Sequence, residues 1–236
     1  MNKDKSKLNY YTYKLDMVIL NVLAILLFIV VGGLVFFMEY KDNYVFYSDI
    51  VSLFIFMIIW LIIHEILHGI GFSIFKCVDK RSITFGMFLE KGIFYCMCKQ
   101  NIPKKVILTS LFFPITIIGV VTLIIGMIVN SYILVFLSVL NIVSSIGDIV
   151  MIIYFIKAPS DIIYLDLDDP TSFTVVTHAD ISNLHVIGIK LDSTGIYDSK
   201  KMVSHDRRRL VISKYSYVLI FIFFILILIK IIGGIL

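Results

Sequence analysis

Five long apolar stretches alternate with polar ones along the chain: Met17–Phe37, Ile50–Phe72, Val106–Ile128, Tyr132–Ile156 and Val218–Leu236. Each approaches or exceeds the ~20 residues that cross a bilayer core of ~30 Å as a helix. The intervening polar segments show a different period. Glycine, aromatic and β-branched residues mix in SITFGMF and KGIFYCMC, which predicts a hairpin near the membrane within a loop over 73–105. Alternation in IIYLDL, FTVV and HVIGIKL predicts short strands within 158–214. The expected fold is an α-helical multi-pass membrane protein with about five transmembrane helices and a small cytoplasmic β-rich segment. Its parts are a cytoplasmic tail over 1–16, a four-helix core over 17–157, the β-rich segment over 158–214 and a final helix over 215–236. The first stretch is too long for a signal-peptide core and lacks a small-residue cleavage site, so it reads as an anchor.

Composition agrees with a lipid environment: 59% of the 236 residues are hydrophobic and 16% charged, unlike a soluble domain around one core. Basic residues set the expected orientation. If every stretch crosses once, 19 of the 21 lysines and arginines fall on one side and Lys41 alone on the other, with Lys230 inside the last stretch. The chain is thus expected in a bacterial cell membrane, amino terminus cytoplasmic and carboxyl terminus outside. The net charge of +4 follows from this bias and calls for no nucleic-acid partner. Arg207–Arg209 read as a topology signal in the same way. Cys77, Cys96 and Cys98 share one loop and imply no disulfide framework.

Chemistry enters with HEILHGIGF, His64 to Phe72, inside an apolar run. Histidines four apart lie on one helix face, so His64 and His68 can hold one metal ion with Glu65 beside them. A charged residue in that setting costs about 2.5–3.5 kcal/mol, which chance alone explains poorly. Catalytic zinc takes a third protein ligand, and Asp148 is the one other acid in the apolar cores. His64 stands 14 residues past Ile50 and Asp148 16 past Tyr132, depths of roughly 21 and 24 Å on stretches running the same way. One Zn²⁺ held by His64, His68 and Asp148 would activate water, with Glu65 moving its proton to the leaving amine. Gly69 and Gly71 would let another backbone pack close. Asn141, two turns before Asp148, is a candidate to hydrogen-bond a substrate backbone. Cys96-x-Cys98 and the histidines at 178, 185 and 205 are weaker ligand candidates. Pro103 and Pro114 read as a helix start and a kink.

HEILHG, YCMCKQNIPKK, SLFFP and NIVSSIGD together resemble the zincin peptidase family of bacterial multi-pass membrane proteins, long catalogued as a domain of unknown function. The likeness spans roughly residues 50–170, and HExxHG with a later GD is its specific part. The chain is also distantly similar to the site-2 protease class of intramembrane zinc metalloproteases. That resemblance implies His64, His68 and Asp148 as ligands and Glu65 as acid/base. The class has a proline soon after its asparagine and then Asp-Gly; here no proline follows Asn141, and Asp148 sits between Gly147 and Ile149.

The expected function is an integral membrane zinc metalloprotease cutting a membrane-associated protein. The alternatives are a non-enzymatic membrane protein moving metal ions or protons through the His/Asp cluster, and a catalytically silent scaffold. Glu65 separates the first from the second, since an ion path needs no acid next to the first histidine.

Overall fold

A computed structural model describes residues 8–39, 50–88, 93–167, 169 and 171–198. Lys41, Glu90, His205, Arg207–Arg209 and the stretch Val218–Leu236 lie outside the described residues.

The chain opens with a strand, β1 (Asn9–Leu15), followed by α1 (Met17–Glu39) and α2 (Ile50–Ser73). A hairpin of β2 (Ile83–Phe88) and β3 (Ile93–Cys98) comes next, then the two-residue β4 (Ile102–Pro103). One long apolar rod follows, made of α3 (Lys104–Pro114), a π-helical stretch (Ile115–Val121) and α4 (Thr122–Ile128). After α5 (Tyr132–Ser144) and α6 (Ile146–Lys157) come β5 (Ile163–Asp166), β6 (Ser172–Thr177) and β7 (Ile189–Ile196).

The strands make a five-stranded sheet in the order β4-β5-β6-β1-β7, every pair antiparallel, with β2-β3 as a separate ribbon. This overturns the expected α-helical multi-pass architecture of about five transmembrane helices with a small β-rich segment: the molecule is mixed α/β. Among the described residues one helix, Lys104–Ile128, is long and apolar enough to cross a membrane, or two if the pair 134–144 and 146–157, bent by 51°, counts as one. Part of the apolar sequence is instead buried in a core shared with the sheet. The first half of the rod buries Val106, Ile107 and Leu111, and α6 buries Val150, Ile152, Tyr154 and Phe155.

Sheet alternation accounts for the other side of that core. Tyr11 and Tyr13 of β1 point inward with Phe173 and Val175 of β6, Tyr164 of β5 and Ile102 of β4. Tyr13 stacks on Phe173 with ring centroids 5.5 Å apart and meets the edge of Tyr154 at 5.0 Å. Each fully buried phenylalanine, such as Phe155 or Phe173, contributes about 1.5–3 kcal/mol. The segment expected as a tail over 1–16 therefore supplies an inner strand. Asp16 ends that strand and caps α1, accepting the N–H groups of Val18 and Ile19 while pairing with Lys190 of β7.

Two close approaches bring the helices to the site. A Cβ on Gly71 would stand 2.6 Å from the Ser110 Cα, so only glycine lets α2 lie this near the backbone of α3. A Cβ on Gly69 would meet the Phe85 ring at 2.5 Å, where the hairpin covers α2.

Candidate metal centre

One turn of α2 separates His64 from His68, and both rings are buried against α3, α5 and α6. The nitrogens of each ring have separate tasks. His64 Nδ1 is 2.8 Å from Asn141 Oδ1, and Asn141 Nδ2 donates to the Pro114 carbonyl at 3.4 Å, which fixes how the amide is turned. His68 Nδ1 is 2.9 Å from the Ser110 carbonyl. A carbonyl only accepts, so both Nδ1 atoms carry the proton and both Nε2 atoms are bare in the neutral rings.

The Ser110 carbonyl is free for this because of Pro114. An α-helix pairs the carbonyl of residue i with the N–H of i+4, and proline has none. Pro114 thus leaves an acceptor exposed for a histidine. Ser110 Oγ also donates to the His68 carbonyl at 2.9 Å, tying the two helices at the same level.

The bare Nε2 atoms stand 3.1 Å apart. Asp148, in the first turn of α6, brings Oδ2 to 3.2 Å from His64 Nε2 and 3.5 Å from His68 Nε2. This oxygen is buried and accepts no hydrogen bond from the protein. With both rings neutral three lone-pair atoms converge, an arrangement that repels itself unless a proton or a metal cation sits among them. Ligand atoms about 2.0–2.1 Å from a tetrahedral zinc lie about 3.3–3.4 Å from each other, which the three separations bracket. The donor set fits zinc.

Glu65 lies beside this triangle, with a carboxylate oxygen within 4.8 Å of the histidine donor atoms. All four residues line a cavity of about 710 Å³ whose wall also includes Cys96, Tyr164 and Asp166. Burial pushes the Asp166 carboxyl up to about 6, against the opposing pull of the Tyr164 hydroxyl and the Cys98 N–H. Burial and the nearby Glu65 raise the Cys96 thiol above its ordinary range.

The structure thus brings together His64, Glu65, His68, Asp148 and Asn141. Asn141, expected on substrate, has its oxygen on His64 and its nitrogen on Pro114, so it orients a ligand ring. Cys96 and Cys98 stay outside the metal-binding group, and Cys98 Sγ lies 3.4 Å from Ser82 Oγ. His178 and His185 are exposed. Asp166 is a contributor that the sequence reading passed over. Its signal was present: it follows Ile162 and Tyr164 at steps of two, so alternation places it on the face that those residues bury.

Partners of ligating histidines typically account for 10–100-fold in metal affinity. Asn141→Leu, which removes the acceptor at His64 Nδ1, is expected to weaken zinc binding by about that factor. Chelator competition measures it, and wild-type affinity in the variant would mean that the bond does not orient the ring.

No curated protein and no solved structure matches the chain. From residue 57 to residue 163, a stretch holding His64, Glu65, His68, Asn141 and Asp148, the chain is similar to a family described as putative zincin peptidase.

Proposed function

We propose that the protein is a zinc-dependent peptidase acting on a membrane-associated protein. One observation carries the reading: two proton-free Nε2 atoms and an unsatisfied carboxylate oxygen meet at tetrahedral spacing with Glu65 alongside. The family likeness supports the same chemistry. A zinc ion held by His64, His68 and Asp148 would supply Lewis acidity to a scissile carbonyl and to water. Asn141 and the Ser110 carbonyl hold the two imidazoles in the tautomer that leaves Nε2 free. Glu65 accepts the proton of the attacking water and returns it to the departing amine.

Purified protein is expected to carry one zinc per chain by elemental analysis, and the His64→Ala, His68→Ala double variant none. Equal metal content in both would end the reading.

Location at a lipid membrane is part of the proposal. Val18, Ile25 and Ile29 of α1 are 73%, 61% and 62% exposed, an apolar face that nothing in the described residues covers. The protein is expected to stay with the lipid pellet after alkaline carbonate extraction; release into the aqueous fraction would remove this part alone.

A further inference from the structure

Asp166 ends β5 and lines the cavity that holds the metal-binding group, its side chain half-buried. One oxygen accepts the Cys98 N–H at 2.7 Å, and the other accepts the hydroxyl of Tyr164. An ionised carboxylate has about four acceptor sites, so two remain for an occupant of the cavity. Nor do the two bonds call for a charge. An asparagine would keep both, its oxygen on the Cys98 N–H and its amide hydrogen on a Tyr164 oxygen turned to accept. The charge is costly where it stands, since burial pushes the carboxyl up to about 6. Among the described residues no lysine or arginine lines the cavity. A bound Zn²⁺ would balance Asp148 and Glu65 and leave Asp166 without a counter-charge. The missing cation has to come from the occupant.

We infer that Asp166 is a specificity-determining residue of the peptidase site, selecting a substrate segment with a lysine or arginine close to the bond that is cut. Its distance from the metal suits this. A Cβ on Gly69, the residue after His68, would stand 3.5 Å from Cys96 Sγ, and Cys98 follows two residues, roughly 7 Å, along β3. A peptide whose scissile bond lies at the metal thus places a neighbouring residue within reach of Asp166 along the four-carbon stem of a lysine. The rest of the wall is apolar, with Met57, Leu61, Leu137 and Leu140 among its members. The segment that fits is therefore apolar with a basic residue beside it, the composition of a chain where a membrane span meets water.

The inference rests on the peptidase reading. Its probes are short peptides of alternating leucine and alanine, acetylated and amidated, with lysine or norleucine at each position in turn. Norleucine keeps the four-carbon stem of lysine without the charge, and the blocked ends keep a free amino terminus from supplying the cation. At one position or more, zinc-loaded wild type is expected to cleave the lysine peptide at least about tenfold better in kcat/KM than its norleucine counterpart, as a hydrogen bond between charged groups supplies. In Asp166→Asn that preference is lost. The comparison is a ratio within one protein, so a general loss of activity cancels. Calorimetry of the same two peptides on zinc-loaded Glu65→Gln, which binds without cutting, is expected to show the same preference in Kd. Equal cleavage of both peptides by wild type at every position, or a preference retained in Asp166→Asn, overturns the proposal. Should Asp166→Asn not fold, Asp166→Glu takes its place. Its carboxylate stands one carbon further out, so the preferred lysine position moves or the ratio shrinks, and an unchanged profile is the overturning result. If the wild type cleaves none of the peptides, the peptidase reading fails, and calorimetry on the wild type and Asp166→Asn still decides whether Asp166 selects a cation.

Discussion

Glu65→Gln is expected to keep zinc at wild-type stoichiometry and to lose peptide hydrolysis by roughly 10²–10⁴-fold, the range general acid–base groups supply. The amide matches the carboxylate in size, so the cavity that Glu65 lines keeps its shape. What disappears is the ability to take a proton from water and give it to the amine. Glu65 stands outside the triangle of His64, His68 and Asp148, and the expected retention of metal follows from that position. Elemental analysis and a cleavage assay on the same preparation check both halves. A variant that lost its zinc along with its activity would make Glu65 a ligand and reverse the roles.

The second large effect is expected at Asp148. Asp148→Ala removes one of three donor atoms and leaves two bare imidazole nitrogens 3.1 Å apart. Zinc affinity should fall by more than the 10–100-fold that a histidine's supporting partner accounts for, and activity should be lost with it. Asp148→His offers another nitrogen donor and is expected to recover part of the binding if the longer ring fits the cavity. Chelator competition measures the loss. Stoichiometric zinc at unchanged affinity in Asp148→Ala would send the search for the third ligand elsewhere, with Glu90, outside the described residues, next to test.

The metal-binding geometry was legible because it depends on short spacings. Four residues set His64 beside His68, and an acid in an apolar stretch drew attention to Asp148. The hairpin and the strands after residue 158 also showed in their alternation. What misled was the meaning of apolarity. An apolar residue reads the same whether lipid or a sheet covers it: Val106, Ile107 and Leu111 join one core with Tyr164 and Phe173 of the strands, although Lys104–Ile128 is itself long and apolar enough to span a membrane. The bend at Ser145 likewise splits an apolar run into two helices without any proline to announce it. β1 was missed for a related reason. The alternation of Tyr11 and Tyr13 is short and flanked by polar residues, and its partners lie more than 150 positions later. Asn141 and Pro114 carried a signal of special geometry, but only the coordinates pair them with particular ring nitrogens.

The place of β1 between β6 and β7 has a consequence for how the molecule is made. Tyr11 and Ala179 are joined by a hydrogen bond across 168 residues, and Tyr13 pairs with Phe173 and Leu191 across the sheet. At about 5–20 residues per second, the first strand leaves the ribosome on the order of ten seconds or more before its neighbours exist. Its tyrosines wait uncovered through the synthesis of every helix, and the sheet closes only when the chain returns. The strand that carries Asp166 belongs to that late closure. The histidines and Asp148 are therefore synthesised on their helices before the strands that complete the sheet.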